Sequence, residues 1–177
     1  MNIAVFGGSF DPPHKGHDAV VRAAISNLNI DKLIVVPAFF SPFKDGTTAS
    51  ATQRWEWCKR LWGALPKVEV WDYEVKANRP VRTIETVQRA IEFYEPDTCY
   101  LLIGADQLEN LNKWFNFQTL ASLVTFVVAT REGIKVPSSM LTLDINEPTS
   151  STKVRAGEDF AAVPAAILDE AMKIYKK

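Results

Sequence analysis

Residues 2 to 37, NIAVFGGSFDPPHKGHDAVVRAAISNLNIDKLIVVP, carry the pattern that decides the architecture of this chain. NIAVF, residues 2 to 6, is a short β-branched and aromatic run halted by Gly7 and Gly8, which predicts a buried strand ending in a loop. A helix is expected from about Gly16, because Ala19, Val20, Ala23, Ala24 and Leu28 return on one face at helical spacing. KLIVVP, residues 32 to 37, reads as a second buried strand closed by its proline. Two continuously apolar strands joined through a helix form a parallel pair, since parallel strands need a crossover of that length.

The same alternation continues. AFFSPFKDGTTAS, residues 38 to 50, has no period and carries Pro, Gly and Ser, so it is a loop. A helix is expected over residues 51 to 64, a third strand in KVEVWD, residues 67 to 72, and a further helix that Thr83 can cap. TCYLLIG (residues 98 to 104), VTFVVAT (124 to 130) and MLTLDI (140 to 145) read as strands, and the last helices begin near Ser151 and Pro164. No repeat, low-complexity tract or linker interrupts this order. The expectation is one α/β domain over residues 1–177, a doubly wound, Rossmann-like parallel sheet with helices on both faces. Ligands of such sheets bind beyond the carboxyl ends of the strands, where the strand order reverses, and the GGSFDPPHKGH loop leaves the first strand at such an end.

Composition narrows the function classes. With 20 basic and 21 acidic residues the formal charge is −1, so no overall field draws the chain to nucleic acid or an anionic membrane, and any anion must be held by a local site. The two cysteines, Cys58 and Cys99, lie in separate apolar segments and suggest neither a disulfide framework nor a thiolate metal cage, which fits a reducing compartment. MNIAVFGG lacks a basic secretory n-region, and no apolar run approaches the roughly 18 residues that span a bilayer. The expectation is a soluble cytoplasmic protein.

Glycines directly after a strand let a phosphate or nucleotide approach the backbone, and the helix beginning nearby points its amides and positive dipole end at the same space. The loop is therefore an anion site, although it matches neither GxGxxG nor GxxxxGK. It also holds both histidines of the chain, His14 and His17, three residues apart and on one side of the first turn if the helix reaches back to them. The pair admits three readings: ordinary hydrogen-bonded side chains, two ligands of a zinc site, or paired donors to a phosphate. Zinc is the poorest, because HxxH supplies two ligands and no other histidine exists. The glycines, Pro12-Pro13 and the helix start favour phosphate.

GGSFDPPHKGH resembles the (H/T)xGH signature of the nucleotidyltransferase superfamily, in the form typical of bacterial nicotinate mononucleotide adenylyltransferases. IGADQLENLNKW, residues 103 to 114, is similar to that family's IGAD…L…W segment, and SSTKVR, residues 150 to 155, to its closing SST-x-(I/V)R motif. The resemblance implies transfer of the adenylyl group of ATP to the 5′-phosphate of nicotinate mononucleotide, with nicotinamide mononucleotide as a further acceptor, releasing pyrophosphate in NAD biosynthesis. It implies Mg2+ bound mainly through the ATP phosphates rather than at a protein metal site. The partners implied are ATP and a pyridine mononucleotide, with no nucleic acid and no membrane, and a homo-oligomer is left open.

By the same resemblance His14 and His17 would hydrogen-bond the ATP phosphates and the charge that develops on the transferring group, with Lys44 and Arg155 as further catalytic cations. Gly7, Gly8, Ser9, Phe10, Gly104, Asp106, Ser151 and Thr152 complete the implied ATP site, with Asp106 near the ribose. Ser9, Lys44, Arg82, Thr83 and Trp114 form the implied mononucleotide site, Trp114 stacking on the pyridine ring. Blander readings stand beside these: Lys44 and Arg82 as solvated cations, the serines and Asp106 as helix caps, and Trp114 as core. Trp55, Trp57 and Trp62 are expected to serve packing. The chain departs from the family at Ala38, where asparagine is common, at Phe43, where histidine is usual, and at Val81-Arg82-Thr83 in place of Ser-Tyr-Thr. Arg82 either pairs with a substrate carboxylate or lies in solvent. The alternatives are a pantetheine-phosphate adenylyltransferase, which shares the HxGH fold, and a nucleotide-binding sensor without turnover.

Overall fold

A computed structural model of the chain describes residues 1–39, 48–147 and 150–176. In chain order the elements are β1 (Asn2–Gly8), α1 (Lys15–Asn27), β2 (Lys32–Pro37), α2 (Ala51–Trp62), β3 (Val68–Val70), α3 (Tyr73–Ala77) and α4 (Thr83–Tyr94). There follow β4 (Thr98–Gly104), a 3₁₀ segment (Ala105–Lys113), α5 (Phe117–Leu123), β5 (Thr125–Ala129), β6 (Leu141–Leu143) and α6 (Ser151–Arg155). Two short 3₁₀ turns then lead into α7 (Leu168–Tyr175). The strands form one sheet in the order β3-β2-β1-β4-β5-β6, and every neighbouring pair is parallel.

The alternation of side chains along β1 divides the core. Ala4 and Phe6 face α1 and α2, packing with Val20, Val21, Ala24, Cys58 and Trp62. Ile3 and Val5 face the other side, against Ile84, Val87 and Ala90 of α4 and Leu120 of α5. Strands buried on both faces are expected to be continuously apolar, as these are, and each fully buried aliphatic side chain contributes about 1.5–3 kcal/mol. A third cluster, with Trp57 of α2, Val154 of α6 and Ala171 and Tyr175 of α7, seals the end of the sheet where the site lies.

The register places Phe6 opposite both Val35 and Leu102, so β1 and β4 are neighbours and their carboxyl ends, Gly8 and Gly104, open side by side. The chain leaves β1 toward β2 and leaves β4 toward β5, and the crevice between them is where the order reverses.

Several boundaries differ from expectation. The third strand begins at Val68 rather than residue 67, because Lys67 has φ 68°, outside the extended region, although its carbonyl still accepts the Leu33 N–H at 2.8 Å. Thr83 is the first helical residue of α4, not its cap; Arg82 holds the cap position and its backbone N–H donates to Glu85 Oε2 at 3.0 Å. The short helices α3 and α5 were not legible in the sequence, since fewer than two turns leave too little periodicity to read. Trp57 and Trp62 are fully buried, so both serve packing as the sequence suggested.

Candidate active site

Helix α1 begins at Lys15, with His14 as its N-cap. His14 Nδ1 accepts from the backbone N–H of Gly16 at 3.0 Å and of His17 at 3.3 Å, while His17 Nδ1 accepts from the backbone N–H of His14 at 3.0 Å. The two histidines thus form a reciprocal capping box, each side chain bonded to the other residue's backbone. Their rings stack with centroids 3.7 Å apart. The expectation that the first-turn amides themselves face the ligand is corrected here: the amides of Gly16 and His17 bond to imidazole nitrogen. The helix's positive end is instead relayed through the ring.

This arrangement fixes the tautomer. A ring nitrogen that accepts an N–H bond carries no proton, so in each neutral imidazole the proton sits on Nε2 and the ring is a donor there. Burial lowers the His14 pKa to about 4, and the positive charges of Arg131 and Arg155 push it the same way. His17 is also held well below its ordinary value, by burial and then by the adjacent imidazole. At neutral pH both rings are uncharged. Phe10 supports the pair from beneath, its ring centroid 4.8 Å from that of His17 and 5.6 Å from that of Trp62. Phe10, placed in the ATP site by resemblance, packs its side chain in the core and also borders the crevice.

A cavity of about 900 Å³ opens above the histidines, large enough for a nucleotide. It is lined by the Gly7–Phe10 loop, His14 and His17, by Gly104 and Asp106 after β4, by Thr130 and Arg131 after β5, and by Ser151, Thr152 and Arg155 of α6. All implied ATP residues therefore meet in one space. At Gly8 a Cβ would stand 3.3 Å from the Phe10 ring, so a side chain there requires that ring to give way. At Gly104 a Cβ would lie 2.5 Å from Asp106 Oδ1, so the glycine is what allows that exposed carboxylate to lean over the strand end.

The closing motif is stitched to the first. Ser151 Oγ donates to the Pro12 carbonyl at 2.8 Å, and Arg155, 4% exposed, donates from Nη1 to the Asp11 carbonyl at 2.8 Å and from Nη2 to Thr152 Oγ1 at 3.2 Å. The cap of α6 is Ser150, whose side chain accepts from Thr152 N–H, rather than Ser151. Arg82, Thr83 and Trp114 do not line this cavity. Trp114 is half-buried against the core formed with α4 and α5, and the Arg82 guanidinium lies over the exposed Phe115 ring, 5.1 Å from its centroid. Lys44 and Phe43 lie outside the described residues.

Residues 5–157 match the cytidylyltransferase-like family model. Over all 177 residues the chain is 51% identical to a Campylobacter fetus protein named "Probable nicotinate-nucleotide adenylyltransferase", spanning 98% of it. A Campylobacter jejuni protein of the same name is 47% identical over the full chain, again spanning 98% of the relative. This chain belongs to the cytidylyltransferase-like family, in its nicotinate-nucleotide adenylyltransferase branch. The fold agrees with that placement: the solved structure of Plasmodium falciparum nicotinic acid mononucleotide adenylyltransferase complexed with NaAD has a TM-score of 0.77 at 20% identity, covering 98% of this chain and 95% of that one.

Sequence reasoning missed two members of this nucleotidyltransferase site. Arg131 lines the cavity and acts on His14 through its charge; following an apolar strand, it looked like an ordinary loop cation. Arg54, 1% exposed, donates to the carbonyls of Ser9 at 2.6 Å, Ala38 at 2.8 Å, Phe39 at 3.0 Å and Ala49 at 3.2 Å, clamping the first motif to the loop after β2. Its place in a helix beside three tryptophans concealed that role. Among the described residues no three His, Cys, Asp or Glu side chains group as metal ligands, and no helix is long and apolar enough to cross a membrane.

Proposed function

We propose that this protein transfers the adenylyl group of ATP to the 5′-phosphate of nicotinate mononucleotide and releases pyrophosphate, as a cytoplasmic enzyme of NAD biosynthesis. The observation that carries the reading is the reciprocal histidine cap, which aims two neutral N–H donors at a nucleotide-sized cavity. A phosphate monoester has its second pKa near 6 and is largely dianionic at neutral pH, so its oxygen attacks the α-phosphorus without a protein base. No protein nucleophile is needed either. What remains is to hold two polyanions in line and to stabilise the charge that shifts onto the pyrophosphate as it leaves.

His14 and His17 donate to those oxygens, and a bond from a neutral N–H strengthens as negative charge accumulates on its acceptor. Arg131 supplies a cation from the β5 side, with Arg155 nearby from α6, and the family resemblance adds Lys44. Mg2+ enters as part of the substrate, Mg-ATP, held by the phosphates; the described side chains offer no cage of their own. Arg82, over the Phe115 ring at the start of α4, would pair with the carboxylate of the nicotinate ring in preference to a neutral amide, and Trp114 would stack on that ring, both outside the cavity that gathers the ATP residues. The near-neutral charge of the chain supports free nucleotides rather than nucleic acid as its ligands. The test is to incubate the purified protein with Mg-ATP and, separately, nicotinate mononucleotide, nicotinamide mononucleotide or phosphopantetheine, and to measure pyrophosphate. Release is expected with nicotinate mononucleotide above the others, and no release with either pyridine mononucleotide refutes the reading.

A further inference from the structure

We infer that Tyr175, the last residue of α7, is a positioning residue for the histidine loop. The inference rests on the proposed reaction but concerns a helix beyond residue 157, where the family match ends. The Tyr175 hydroxyl donates to Asp11 Oδ1, which also accepts the Ala49 backbone N–H at 3.0 Å. Both Tyr175, at 0% exposure, and Asp11, at 1%, are sealed from water. The Tyr175 ring packs against Trp57 of α2, with centroids 6.2 Å apart, and α7 is pinned to α2 by Trp57 Nε1 donating to Glu170 Oε2 at 2.7 Å. A hydroxyl carried on a braced helix therefore grips the loop from behind.

That grip has somewhere to act. Asp11 directly follows Phe10, a non-glycine residue at φ 49°, in the left-handed region that side chains avoid and that persists only where the surroundings hold it. Phe10 in turn carries the ring beneath His17. Two bonds to the Asp11 carboxylate and the Arg155 bond to its carbonyl fix the residue next to this strained position, so the placement of the imidazoles depends on a contact made 164 residues away in sequence.

The experiment compares wild type, Tyr175→Phe and Val87→Ala by kinetics with Mg-ATP and nicotinate mononucleotide, by thermal melting, and by imidazole ¹⁵N resonances without substrate. The chain has only two histidines, so these resonances report on the loop alone. Tyr175→Phe keeps the ring and loses the hydroxyl. Its kcat is expected to fall about 10-fold or more, its KM for the mononucleotide to stay within about twofold, and the imidazole signals to move. Val87→Ala removes packing on the other face of the sheet, away from Asp11, Trp57 and Tyr175, so its melting temperature falls while kcat and the imidazole signals hold. The proposal is overturned if Tyr175→Phe keeps kcat within about twofold of wild type, if kcat falls with unmoved imidazole signals, if Val87→Ala loses kcat equally, or if Tyr175→Phe does not fold. Absence of turnover in wild type counts against the proposed reaction instead, and the imidazole signals alone then decide the role of Tyr175.

Discussion

Replacing His14 by asparagine separates its two roles, cap and titrating group. Asparagine is as good an N-cap as any residue, so the helix start survives, while the ionisable ring is gone. In the folded protein the His14 pKa is lowered to about 4 from an ordinary 6.5, chiefly by burial. Between those values the unfolded chain binds a proton that the folded chain refuses, so stability falls as pH drops below 6.5 and the loss is complete near 4. The displacement corresponds to about 3 kcal/mol over the whole window and about 2 kcal/mol by pH 5. For a chain of this size 1 kcal/mol moves the melting temperature by about 2–4 °C, so wild type should lose about 4–8 °C more than His14→Asn between pH 7.5 and pH 5. Carboxylates titrate in both proteins and cancel in the difference. Melting followed by circular dichroism across that range provides the measurement. Parallel curves for the two proteins would refute the argument, because they would mean that burial does not keep the ring neutral.

Other residues carry separate tests. His17→Ala should lower kcat by about 100-fold or more with the fold intact, as loss of an oriented donor to developing charge does, and near-normal turnover removes it from that role. Burial holds Glu74 up to about 7, where it accepts the Thr86 hydroxyl at 2.6 Å. A raised carboxyl contributes stability below its unfolded value of 4.5 that is lost as pH rises through about 7, so Glu74→Gln should melt higher than wild type at pH 8, by up to about 3 kcal/mol in stability, with little gain at pH 5; a variant less stable at pH 8 contradicts this. Arg82→Ala should reduce the ratio of kcat/KM for nicotinate over nicotinamide mononucleotide by about 10-fold, and an unchanged ratio places the discrimination elsewhere.

Much of the fold was legible because it is written locally. Runs such as IAVF and KLIVVP are apolar on both faces, which only a doubly covered parallel strand demands, and the histidine loop announces itself by glycines, prolines and the sole two imidazoles standing together. The three motifs also named the cavity wall, since each sits at the carboxyl end of a strand or the start of a helix. Tertiary structure decided what those residues do with their polar atoms. That each histidine caps the other's backbone, so that the rings are neutral donors, depends on where α1 begins, a matter of one residue that periodicity does not resolve. Arg54, Arg131 and Tyr175 look in sequence like a helix cation, a loop cation and a terminal aromatic. Their roles come from contacts with segments remote in sequence, and a hydrogen bond between residues 11 and 175 leaves no local pattern in either stretch. Periodicity reports which face of an element is buried; only packing decides which partner meets it there.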